Sequence, residues 1–198
     1  MAKNDIQASL LSGLLFSILI LFLSFTLELK IPYLWAGIFV FPLLAVIGIY
    51  IAFQIGNKIP VFFQLTKFLV VGTLNTLMDI GVLNLLIFTS GIAAGPWFSV
   101  FKALGFMGAL FNSYLWNKTW TFKAKPLFEG DKKEFLAFAA IAAVGFFLNV
   151  GIATFIVNGI GPQFGLSAKL WASVGALTAT AAVFTWNFIG FKVIVFKK

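Results

Sequence analysis

The chain has 198 residues, 61% of them hydrophobic and 10% charged, with a mean hydropathy of +1.04 and a net charge of +8. A soluble domain is typically about 45–50% apolar and about 25% charged, so the composition is that of an all-α integral membrane protein. There is no Cys and no His, which removes disulfides, thiol chemistry, most zinc sites and the commonest general base. All fourteen basic residues are Lys. On the positive-inside rule they are basic cytoplasmic loops of a membrane protein, not a nucleic-acid surface.

Spans need about 20 mainly apolar residues. In chain order they are predicted at roughly 9–28, 34–55, 66–89, 97–117, 136–159 and 169–190. The first run is longer than the apolar core of a signal peptide and lacks a small-residue cleavage pattern, so it is read as a retained span. The loop "KAKPLFEGDKKE" after the fourth span is the one strongly charged segment. Six spans put both termini on one side. That side holds eleven Lys and the other three, which places the termini in the cytoplasm and the protein in the cytoplasmic (inner) membrane as a multi-pass chain.

A shift of 74 residues lays the second half on the first without a gap. Asn75 meets Asn149, Asn84 meets Asn158, Gly91 meets Gly165, Trp97 meets Trp171, Ser99 meets Ser173 and Lys118 meets Lys192. Asn, Trp and Lys are scarce enough here for one constant offset to indicate duplication. The predicted architecture is a four-helix core (61–198) of two parallel hairpin repeats, about 64–124 and 135–198, preceded by an N-terminal hairpin (1–60) without a counterpart. Parallel repeats occur among transporters, with sites at the repeat interface.

The third span reads "VVGTLNTLMDIGVLNLL". Asn75 and Asp79 are four apart and share a helix face, and Gly72 is expected to admit a neighbouring helix closely. Asp79 lies roughly 16 Å into the span at about 1.5 Å per residue, near the midplane of an apolar layer about 30 Å thick. A carboxylate there costs about 2.5–3.5 kcal/mol or more unless paired, hydrated or protonated. It is either a neutral acid bonding a neighbouring helix or a substrate or proton site. Lys102, the one well-embedded cation, is a candidate partner for it. Asn112 and Asn149, with several embedded Ser and Thr, either bond across helices or line a path for a hydroxyl-rich head group.

At the end of the fourth span Trp116, Trp120 and Phe122 surround Asn117 and Lys118. Such residues commonly anchor a span at the interface. With Asn187 and Lys192 at the end of the sixth span, two ammonium groups on one side also suit a lipid phosphate.

Gly72, Asn75, Thr76 and Asp79, followed by Asn117, Lys118, Trp120 and Phe122, resemble the G-x-x-N-T-x-x-D and N-(K/R)-x-W-x-F patterns of the GtrA-like family of small membrane proteins. The resemblance covers about Lys67 to Lys198. Three features depart from it: Lys stands where members often have Arg, Phe191, Val193 and Ile194 replace expected residues in the second ending, and the N-terminal hairpin is extra. The resemblance implies movement of a polyprenyl-phosphate-linked monosaccharide across the membrane for cell-surface polysaccharide synthesis, beside a membrane glycosyltransferase that loads the lipid. It implies no cofactor and no covalent catalysis. The phosphate is then expected at Lys118 and Lys192, and the sugar along a polar cleft through Asn75, Asp79, Asn112 and Asn149. The rival expectations are a subunit that anchors a glycosyltransferase and a small proton-coupled exporter of cationic compounds. Four short core spans enclose little volume, which is compatible with a homodimer.

Overall fold

A computed structural model describes residues 1–121 and 132–190. Six α-helices stand where six spans are predicted: α1 Lys3–Thr26, α2 Gly37–Gly56, α3 Pro60–Ser90, α4 Pro96–Trp116, α5 Lys132–Thr154 and α6 Ala168–Gly190. No strand occurs among the described residues. Proline opens both α3 and α4, at the position where its missing N–H has no helical partner to lose. α3 has 31 residues and is roughly 46 Å long at about 1.5 Å per residue, well beyond an apolar layer of about 30 Å. α4 continues as a π-helical turn over Asn117–Thr121, and α5 as another over Phe155–Ile160.

Four segments are long and apolar enough to cross a membrane: Lys3–Thr26, Leu34–Gly56, Phe62–Ser90 and Ala140–Ile160. Ala168–Phe184 is apolar but shorter. α4 falls outside this set because Lys102, Asn112 and Ser113 interrupt its apolar run. The fold compensates by burying Lys102 completely. α2 shows the opposite pattern, with Phe39, Leu43, Ile47 and Ile51 exposed, as suits a lipid-facing helix.

The chain divides into two compact units, Met1–Gly81 with Ala109–Ala124, and Val82–Gly108 with Lys125–Lys198. In the first unit, α1 and α2 pack along a seam of small residues. Ser9, Ser12, Gly13 and Ser17 are buried on α1. A Cβ on Gly13 would run into the Pro42 backbone and lie 2.7 Å from the Phe41 carbonyl oxygen, so only glycine permits this approach. The Ser17 hydroxyl lies 2.8 Å from the carbonyl oxygens of both Gly13 and Gly37, tying α1 to the start of α2. Ile49, Val71, Leu74, Trp116 and Trp120 form the buried core of this unit.

In the second unit α5 and α6 meet through Ala153, Ala172, Ala176 and Ala179, all fully buried. A Cβ on Gly175 would lie 2.8 Å from Val157 and 3.3 Å from the Ala153 carbonyl oxygen. Gly72, expected to mark such an approach, does not: a Cβ there meets nothing within 4 Å. Gly13 and Gly175 do mark such approaches, on helix surfaces already thinned by serine or alanine stripes.

Positions related by the 74-residue shift share backbone and bonding habits in this unit. Gly91 and Gly165 both take left-handed backbone, with φ of 73° and 70°. Asn84 on α3 donates to the Ser173 hydroxyl on α6 at 3.0 Å. Asn158, at the end of α5, accepts from the Gly95 amide at 2.6 Å and donates to its carbonyl at 3.0 Å. The Ser99 and Thr154 hydroxyls, on α4 and α5, are 2.8 Å apart.

Candidate functional site

Asn75 and Asn112 are both expected on the polar path, and the structure brings them together. The Asn112 carboxamide nitrogen donates to the Asn75 side-chain oxygen at 2.7 Å, from α4 to α3. Both residues are only half-buried, and one shared bond leaves each carboxamide further hydrogen-bonding capacity. One turn along α3, Asp79 is buried at 3% exposure, and Lys102 on α4 is buried at 0%. Two ionisable groups held this deep are costly unless compensated, which marks both positions as more than filler.

Asn149, the counterpart of Asn75, is 2% exposed, and its side-chain oxygen accepts no hydrogen bond among the described residues. The Thr121 hydroxyl, at the end of the π-helical turn, is likewise buried without a hydrogen-bond partner among the described residues. A buried orphan of this kind costs about 1–3 kcal/mol.

Asn117 and Lys118 lie in the π-helical turn after α4. π-Helical turns occur frequently at functional sites. The side chains of Asn117, Lys118 and Asn187 and the whole of Lys192 lie outside the described residues.

Trp120 departs from the interfacial-anchor expectation. It is 3% exposed, packs edge-to-face on Trp116 at 5.6 Å and belongs to the buried core. Its indole N–H donates at 3.2 Å to Asp5. The same Asp5 oxygen accepts from the Lys67 ammonium at 2.5 Å. The ammonium also sits over the Phe63 ring at 4.2 Å and lies 5.5 Å from the Trp120 ring centroid. Sequence reasoning passed over Asp5 and Lys67 because each lies at the edge of its span. The available signal was their opposite charge at the same predicted end of two spans.

Long apolar helices, with paired carboxamides on α3 and α4 and a charged, aromatic cluster at Asp5, Lys67 and Trp120, define a multi-pass membrane protein. Residues 67–196 match the family model described as GtrA/DPMS, transmembrane domain, and the chain belongs to this family. It is 33% identical over 134 residues to "Uncharacterized membrane protein YngA" of Bacillus subtilis (strain 168), a match covering 67% of this chain and 78% of that protein. No solved structure matches the chain. The hairpin of α1 and α2 precedes the matched region.

Proposed function

We propose that the protein is a translocase that moves a polyprenyl-phosphate-linked monosaccharide across the cytoplasmic membrane for cell-surface glycan synthesis. The observation that carries this reading is the Asn75–Asn112 pair: two carboxamides from different helices, joined at 2.7 Å and left half-open at membrane depth. Carboxamides both donate and accept, as sugar hydroxyls require. They lower the cost of taking an unpaired polar group through hydrocarbon, which otherwise reaches several kcal/mol. The unsatisfied Asn149 oxygen supplies a further acceptor for a hydroxyl. Lys118 is the proposed phosphate ligand of the first hairpin and Lys192 that of the second, at the Lys-rich cytoplasmic side that carries both termini. A membrane glycosyltransferase supplies the loaded lipid. The protein makes and breaks no covalent bond in this scheme.

The test is transbilayer movement of a short-chain polyprenyl-phosphate monosaccharide in proteoliposomes. The wild-type chain is expected to move it, and Asn75→Ala and Asn112→Ala to slow it on the order of tenfold, the equivalent of about 1.4 kcal/mol in the barrier. Movement no faster than that of an Asp79→Asn/Lys118→Ala double variant would overturn the proposal.

A further inference from the structure

The carboxylate of Asp5 is held in an unusual way. Its Oδ1 takes two donors from the family core, the Lys67 ammonium and the Trp120 indole N–H. Its Oδ2 stays with its own helix, accepting from the Ala2 amide at 3.2 Å. All three side chains are at least nine-tenths buried. The two core donors therefore converge on a single anionic oxygen, within an aromatic wall made by Phe63 and Trp120. An ammonium and an indole N–H aimed at one point form an anion site, and charge-assisted bonds of this type are the strong ones.

A groove of about 270 Å³ runs beside this site, lined by Asn4, Gln7 and Thr119 and by Leu11, Leu115 and Trp120. Trp120 belongs to both places: it lines the groove and donates to Asp5. The lining pairs carboxamide and hydroxyl groups with leucine side chains, the pairing an amphiphile with a polar head and an apolar tail requires.

We infer that Lys67 and Trp120 form a phosphate-binding subsite that Asp5 of the N-terminal hairpin occupies as an internal stand-in, and that a lipid phosphate entering the groove displaces it. The carboxylate carries the same charge sign as a phosphate oxygen and satisfies the same two donors. It lies in the first turn of α1, near the end of that helix. The aromatic wall holds the ammonium in place while the anions exchange. The hairpin thereby sets how tightly the core takes up its anion. The inference rests on the proposed lipid-linked substrate only for the identity of the phosphate carrier.

Binding to the full chain in nanodiscs, followed by tryptophan fluorescence, tests it without any translocation step. The probes are a short-chain isoprenyl monophosphate, inorganic phosphate and phosphatidylglycerol. Asp5→Asn removes the competing charge with little change of shape. It is expected to tighten isoprenyl phosphate binding on the order of tenfold, because a site freed of its occupant binds at its intrinsic affinity. Inorganic phosphate binding with equal tightening would assign the site to free phosphate, and phosphatidylglycerol to bulk lipid. Either result keeps the anion site and overturns the glycolipid assignment. The doubly neutral Asp5→Asn/Lys67→Gln variant leaves no unpaired charge and keeps the fold where the single variant does not. It is expected to lose the binding. Asp5→Asn that binds every probe no tighter than wild type, or a double variant that binds as wild type does, overturns the subsite and leaves Asp5 as a tie between helices. Failure of scrambling alone leaves this binding result standing.

Discussion

In the first core hairpin, Asn112 on α4 donates a hydrogen bond to Asn75 on α3. In the second, the matching Asn149 on α5 is buried, and its oxygen accepts no hydrogen bond among the described residues. The 74-residue shift explains the difference, since it carries Asn75 onto Asn149 but Asn112 onto Trp186. Trp186 spends its indole N–H on the Ile141 carbonyl oxygen at 3.2 Å, along the same α5–α6 hairpin. The first hairpin thus holds a half-buried polar pair, and the second has an indole at the position that corresponds to Asn112. The two hairpins thus differ in how they hold their embedded asparagine, the first by a carboxamide pair and the second beside an indole that bonds backbone.

The largest effect should come from removing that indole. Trp186→Ala is expected to destabilise the protein by about 3 kcal/mol, the usual scale for truncating a packed Trp, measured by reversible unfolding in detergent micelles. The asparagines should then respond with opposite sign. Asn75→Leu strands Asn112 and should cost about 1–3 kcal/mol, whereas Asn149→Leu removes an orphaned acceptor and should be neutral or stabilising. Equal losses at both positions would mean that the hairpins are not differentiated. Smaller, and equal in the two copies, should be the cost of Gly91→Ala and Gly165→Ala, about 1–2 kcal/mol each, because both sit in left-handed backbone. The smallest effect belongs to the cross-helix bonds. Asn84→Ala and Asn158→Ala should each cost about 0.6 kcal/mol, read from the same unfolding curves.

Much of the fold was legible because hydropathy marks apolar runs directly, and the six helices fall where those runs lie. The pairing of Asn75 with Asn112 was legible in part: polar residues so rare in an apolar chain stand out, although spacing names no partner. Trp120 was misread because an aromatic at a span end looks the same in sequence whether it faces lipid or a carboxylate. Its partner lies 115 residues away, and no local pattern carries that information. Gly72 was misread for a related reason. A glycine admits a close neighbour but does not summon one, and Gly13 and Gly175 receive theirs because their own helix surfaces are already lined with small side chains.

The serine and glycine seam of α1 bears on how the molecule is made. Its contacts with α2 are all local in sequence, and Ser17 reaches Gly37 across only 20 residues. The α1–α2 hairpin can therefore close while the ribosome is still translating α3, as early-synthesised elements generally do. Asp5 is then already presented on a finished surface. Lys67 arrives 62 residues after it and Trp120 115 residues after it. The partners of the Asp5 carboxylate, on α3 and in the turn after α4, are therefore made only after the hairpin that carries it.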